Sequence, residues 1–193
     1  AAVLGAGQAQ FGDARARRLG AVGPAAGEHG HALPKLVDRR AVEWLRACAW
    51  LSPEARTALL SGEHHVRLEP LGGGLVGVLS DLLAEDPDEF GVFHLYADQR
   101  CLITGRRHGV TSLGALRRDL AAGAQVDGIP ALSNALLRRL IGTHKGLVTT
   151  HEDAIDELED RVLGGQDGDP SFGQRRRAMA RLRRQMSANR HAL

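Results

Sequence analysis

An α/β (α+β) fold that ends in a long antiparallel helical hairpin is what the sequence predicts, on three observations. Two apolar–polar alternations, each broken by a short turn, mark strand pairs between residues 65 and 107. Strand signals vanish after "QVDGIP", and two helical periodicities separated by "GGQDGDP" fill the remainder. Of these two stretches, "HEDAIDELED" carries only acidic charges and "RRRAMARLRR" only basic ones. Opposite charges of this kind suit two helices that lie against each other.

The elements follow in order. The first thirty residues are rich in Gly and Ala, with one strand expected within residues 2–10. "RRAVEWLRAC" reads as a helix with Val42, Leu45 and Ala49 on one face. In "LSPEARTALLSG", Ser52 is the expected N-cap, Pro53 takes the first helical position and Gly62 the stop. "HVRLEPLGGGLVGVLSDLL" predicts a hairpin turning at residues 72–74. "EFGVFHLYAD" and "RCLITGRR" predict a second strand pair turning at residues 98–100. "TSLGALRRDLAAG" is a short helix, capped by Thr111 or Ser112 and stopped by Gly123. The composition then changes, and the boundary expected at residues 127–130 divides an α/β domain, 1–128, from a helical hairpin, 129–193.

Within the hairpin, Leu137, Ile141, His144, Val148, His151, Ile155, Leu158 and Val162 alternate spacings of four and three, a heptad-like seam. Phe172, Met179, Leu182, Met186, Asn189 and Leu193 mark the seam of the second helix. Folding back at residues 164–170 is expected to set Asp153, Asp156 and Asp160 beside Arg175, Arg177, Arg181 and Arg184. Each exposed pair is worth only about 0.5 kcal/mol, but together they disfavour wrong registers.

Composition narrows the function. At 193 residues with 43% hydrophobic residues and 24 glycines, the chain is ordinary for a folded α/β protein. Its 25 basic residues nearly cancel 23 acidic ones, for a net charge of +2, which argues against a dedicated nucleic-acid binder. Cys48 and Cys101 fit no zinc-finger or redox spacing and suit a reducing cytosol, with one disulfide left open. No stretch approaches the roughly 20 consecutive apolar residues of a transmembrane helix. Residues 1–7 lack the basic start of a secretory signal, so a soluble, cytoplasmic molecule is expected. The missing initiator Met and the abrupt end at "MSANRHAL" suggest a fragment.

Several motifs fail on inspection. "LGAGQAQFG" sets Gly5 and Gly7 as in a dinucleotide site, but Gln10 stands at the third glycine position and Glu28 lies in a Gly-rich loop. "DGDPSFG" mimics a calcium loop through Asp167, Asp169 and Ser171, yet Phe172 replaces the turn glycine and Ala178 the closing Glu. The Arg-rich helix as a nucleic-acid reader lacks interleaved aromatics and has an acidic neighbour that repels phosphate. No nucleophilic triad is visible, so an enzyme is not expected. His64 and His65 read as an exposed loop pair whose side chains diverge. His144 and His151 share the apolar seam, about 10 Å apart along the axis. They pack as half-polar seam residues, or each ligates zinc with help from Glu152 or another subunit.

Taken together, "AVEWLRACAWLSPEARTALLSGEHHVRLEPLGGGLVGVLSDL" and "HEDAIDELEDRVLGG…RRAMARLRRQMSANRHAL" resemble the cytoplasmic domain of the CorA superfamily of divalent-cation transporters, nearest its ZntB-like zinc-transporter branch. The resemblance runs from about Val42 to Leu193, and residues 1–41 depart from it. It implies an α/β/α sandwich with a mixed sheet, followed by the hairpin. It also implies a later stalk helix with two membrane helices, homopentameric assembly, and a place on the cytoplasmic face of the bacterial inner membrane. Without those later segments, a stable pentamer of this stretch alone is not expected.

The implied role is to gather or sense cations and to couple subunit packing to a pore. A hydrated divalent ion between carboxylates of adjacent subunits would relieve their repulsion and favour one packing state. Glu152, Asp153, Asp156, Glu157 and Glu159 are the expected ligands, joined by His144 and His151 if the ion is zinc. No organic cofactor is expected. Zinc is the expected ion; the alternatives are a magnesium or other divalent channel domain, or a soluble interaction or regulatory module that docks through the charged hairpin.

Overall fold

The structure, a computed structural model, describes residues 2–4, 39–164 and 171–193. Two short helices open the well-packed part, α1 (Arg39–Ala47) and α2 (Pro53–Leu60). The second begins as its sequence dictates: the Ser52 hydroxyl accepts the Ala55 amide at 3.1 Å, and Pro53 follows it. Such a cap contributes about 1 kcal/mol. Ser61, rather than Gly62, caps its end. The first helix stops at Ala47, so the chain turns there, Cys48 joins Leu45 inside, and Ala49 is left exposed.

Among the described residues five strands form one sheet: β1 (Ala2–Leu4), β2 (Arg67–Leu71), β3 (Gly74–Leu82), β4 (Phe90–Ala97) and β5 (Leu102–Arg106), in the order β1-β5-β4-β3-β2. Every pairing is antiparallel, which corrects the mixed sheet that the resemblance implied. The reason is connectivity: β2 to β5 follow one another through short reversals, and parallel neighbours would need a crossover helix between them. At the first reversal Leu71 faces Gly74 across Gly72 and Gly73, whose φ angles are 57° and 82°. Positive φ at both central residues is what a two-residue hairpin needs to match the twist of its strands. At the β4–β5 reversal the Asp98 carboxylate accepts the Arg100 and Cys101 amides at 2.7 and 2.9 Å.

Both faces of the sheet are covered. On one, Leu45, Leu51, Ala55 and Leu59 of the α1–α2 layer meet Val76, Tyr96 and Ile103. On the other lie α3 (Thr111–Ala121), α4 (Gly128–Leu163) and α5 (Ser171–Ala192). There Leu79, Phe93, Leu95 and Leu102 pack with Leu113 and Leu116 of α3 and with Ile129, Leu132, Leu136 and Leu140 of α4. The architecture is thus an α/β/α sandwich whose last helices extend as a folded-back pair. Ala192, at the end of α5, returns to the cluster in which α4 began.

The seam differs from expectation in the first half of α4. Leu136 and Leu140 are buried, whereas Leu137 is half-buried and Ile141 is 59% exposed. The sheet lies beneath this half, so the buried stripe runs in steps of four rather than in the alternating steps of a two-helix seam. Further along, His144, His151 and Leu158 are buried as the pattern predicts, with Val148 and Ile155 half-buried. In α5, Leu182 and Asn189 are buried, while Met186 is 38% exposed and Leu193 lies exposed past the helix end.

Two polar devices tie the helices to the sheet. Strand β2 covers β3 only as far as the Arg67–Val78 pair, leaving the backbone of Ser80 open on that edge. The Asn189 side chain of α5 fills the gap: its Oδ1 accepts the Ser80 amide at 2.9 Å and its Nδ2 donates to the Ser80 carbonyl at 2.8 Å. A side-chain amide thereby stands in for a neighbouring strand. The second device is Asp81, fully buried. Neither Thr111 nor Ser112 caps α3, because Val110 is the N-cap and makes no side-chain bond. Asp81 of β3 does so from across the layer, accepting the Ser112 amide at 2.8 Å and the Ser112 hydroxyl at 2.9 Å. It also accepts its neighbour's Leu82 amide at 2.8 Å. Burial pushes the Asp81 carboxyl above its ordinary value of 3.8, against the lowering pull of those donors.

Replacing Asn189 by Ala strands a buried amide and carbonyl, at about 1–3 kcal/mol for each unsatisfied group. Urea unfolding is expected to show a drop of that order for N189A, with faster tryptic cleavage within α5. An unchanged midpoint and an unchanged cleavage rate contradict this. For Asp81, the raised folded pKa means that the native state holds its proton more tightly than the unfolded chain. This group's stability contribution is present below about pH 4 and is lost as pH rises through the folded pKa. D81N keeps the shape but its amide nitrogen cannot accept a donor, so it should be less stable by about 1–3 kcal/mol near pH 4, a deficit that shrinks toward neutral pH as the native carboxyl ionises. It should also lack that pH-dependent decline, which unfolding curves from pH 4 to 8 measure.

Candidate functional site

The second half of α4 carries the expected ligands. Helical geometry spreads Glu152, Asp153, Asp156, Glu157 and Glu159 over the arc opposite the buried His151 and Leu158, and all five are exposed. Glu152–Asp156 and Asp153–Glu157 are four apart, and Asp153–Asp156 and Asp156–Glu159 three apart, spacings at which neighbouring Cβ atoms lie about 5–6 Å apart. Like charges at such spacings destabilise the helix by about 0.2–0.5 kcal/mol per pair. Among the described residues no three His, Cys, Asp or Glu side chains converge into a metal cage.

The two histidines part company with the carboxylates. His144 is buried with its ring stacked on Phe90, centroids 5.9 Å apart and planes at 30°. Burial holds its pKa below the ordinary imidazole value, so it is neutral at physiological pH. Its Nε2 has no hydrogen-bond partner among the described residues. Glu152 lies eight residues along, about 12 Å up the axis, so the two cannot bind one ion directly. His151 is also buried and lines a cavity between α4 and α5. Of the two readings of His144, the structure supplies a packing partner, Phe90.

The charge pairing expected between the helices is not how their charges are used. Among the described residues no ion pair joins Asp153, Asp156 or Asp160 to Arg175, Arg177, Arg181 or Arg184. Arg181 instead pairs with Glu89, just before β4, at 3.0 Å. The cause is the position of the seam: with His151 and Leu158 turned inward, the acidic row of α4 faces outward. Elsewhere, His64 and His65 are exposed as expected. Cys48 and Cys101 are buried free thiols, and burial, with Asp98 beside it, pushes Cys101 up to about 12. Gly5, Gly7, Gln10, Glu28, Asp167 and Asp169 lie outside the described residues.

Sequence reasoning missed the buried Asp81 and the bonding role of Asn189. Asp81 had one signal, a carboxylate within the apolar run "GVLSDLL", where both faces of the strand are buried. Asn189 fell on the expected seam, but nothing local showed that its partner would be strand backbone.

No curated protein matches this sequence. Solved structures do. The cytoplasmic domain of ZntB from Vibrio parahaemolyticus superposes with a TM-score of 0.67 at 17% identity, covering 80% of this chain and 63% of that one. Full-length CmaX gives 0.65 at 25% identity, with 79% and 47% covered. The soluble domain of CorA from Methanocaldococcus jannaschii gives 0.64 at 17% identity, with 80% and 64% covered. This chain therefore spans 47–64% of the length of those structures. No described helix is long and apolar enough to cross a membrane. The profile of the family described as "CorA-like Mg2+ transporter protein" matches residues 35–193, which takes in α1 to α5 and four of the five strands; the chain belongs to that family.

Proposed function

We propose that this chain is the cytoplasmic part of a divalent-cation transporter of the bacterial inner membrane, held there by membrane helices outside the chain and working as a homopentamer. The family match across residues 35–193 carries this reading. In it, the outward carboxylates of α4 meet a neighbouring subunit across a hydrated divalent ion, and the ion favours one packing state over another. The role is transport and regulation rather than catalysis.

Exposed oxygen ligands, with the His144 imidazole stacked on Phe90 out of their reach, support a cation that keeps its water, as magnesium does, over one that seeks nitrogen. A zinc transporter of the ZntB-like branch is the second reading. His151 favours it, since its ring borders a cavity and is not locked in an aromatic stack. A soluble regulatory module is set apart from both by the gene: two apolar spans of roughly 20 residues encoded soon after Leu193 support the transporter.

Titration of Mg2+ into the chain, with heat and light scattering recorded together, should show weak binding. A Kd on the order of 1 mM is expected, with an increase in mass. Both signals should vanish when Glu152, Asp153, Asp156, Glu157 and Glu159 are replaced by Gln or Asn. Heats that survive those five substitutions contradict the assignment. A Zn2+ heat lost in H144A/H151A but kept in the five-site variant moves the site to zinc.

A further inference from the structure

Between α4, α5 and the segment before β4 lies an open cavity of about 720 Å³. Arg175, Arg177, Arg181 and Arg184 line it, the last three at spacings of four and three on one face of α5, and Asp88 is the one acid among the described residues that border it. Glu89 engages Arg181 from outside that lining. The carboxylates of Asp153, Asp156 and Asp160, which could have neutralised the arginines, pair with none of them. The cavity therefore keeps a net positive wall.

The donors are also incompletely used. Arg175 and Arg181 each hold a buried Nε with no hydrogen-bond partner among the described residues. In a guanidinium, Nε and one terminal nitrogen form a planar fork that matches two oxygens of a phosphate. An unpartnered, covered Nε is costly, and a turn of either side chain toward the cavity would give it an anionic acceptor there. The opposite wall brings Thr150 and the buried His151.

We propose that this cavity binds a polyphosphate anion of nucleotide size. A single inorganic phosphate cannot reach four arginines strung along a helix, and the volume lies in the range of small-molecule sites, about 300–1,000 Å³. Several linked phosphates span the guanidinium groups of Arg175 and Arg181, while the exposed Arg177 and Arg184 add charge. The acidic row of α4, which the sequence suggested would repel phosphate, does not border the cavity. This site does not depend on the magnesium reading, because it uses the opposite charge and none of the five α4 carboxylates; it shares His151 with the zinc reading and competes with it.

The test titrates the chain with ATP, inorganic tripolyphosphate and AMP by calorimetry, and repeats the series with R177Q/R184Q. Both substituted residues are exposed, so the melting temperature should not move. ATP and tripolyphosphate should bind at least about tenfold more tightly than AMP, and the variant should lose roughly tenfold for both. Higher salt should weaken both as well. Failure of either polyphosphate to bind at millimolar concentration overturns the proposal, as does equal binding by the variant. Two further results overturn it: capture only by phosphatidylglycerol vesicles, and concentration-dependent self-association abolished in the variant without polyphosphate binding. The first assigns the arginines to a membrane surface and the second to another copy of the chain.

Discussion

The grip of Asn189 on the backbone of Ser80 is the contact on which the arrangement of helices and sheet depends. Strand β2 is too short to satisfy the far end of β3, and a buried strand edge left bare is costly. One amide side chain, arriving from a residue 109 positions later, makes both missing bonds. It fixes where α5 lies, and α5 in turn decides which face of α4 turns inward. The direction of the acidic row follows from that choice. Asp81, the residue after Ser80, does the corresponding work for α3, with Thr143 of α4 3.3 Å from the Ser112 hydroxyl. Adjacent residues of one strand thus hold two of the three helices on that face.

Much of the fold was legible because its signals are local. Ser52 with Pro53, the glycines at 72 and 73, and Asp98 at the β4–β5 reversal each act through bonds to near neighbours or through their own φ angles. The break at "GGQDGDP" and the loss of strand signals after residue 127 were equally plain. The misplaced ends of α1 and α2 were local failures, at Ala47 and Ser61; the larger ones were long-range. Leu136 and Leu140 replaced Leu137 and Ile141 in the buried stripe because a sheet lies under that half of α4, and periodicity alone cannot tell a sheet from a second helix. Asp81 replaced Thr111 and Ser112 as the cap of α3 because the cap comes from another layer.

The candidate site was legible as a list of residues but not as an arrangement. The five carboxylates of α4 are exposed, as ligands for a hydrated ion must be, yet His144 lies at least two turns away along the helix, buried against Phe90. The acidic and basic helices looked like partners because their charges are opposite. Within one chain their charged faces do not meet; α4 shows its acids to the outside and α5 its arginines to an open cavity. Two surfaces of opposite sign, set on helices rooted in one core, can respond to ligands of opposite charge. The shared sheet offers a physical route between them, since α4 and α5 both bear on β3.

That route exists only if helices and sheet open as one body. Native-state hydrogen exchange at increasing urea tests this directly. Amides of residues 129–140 in α4 and of β3 should converge on one opening free energy, with the same steep dependence on urea. Exchange of α4 and α5 through a separate opening, at lower free energy and with little dependence on urea while β3 stays protected, would contradict the account.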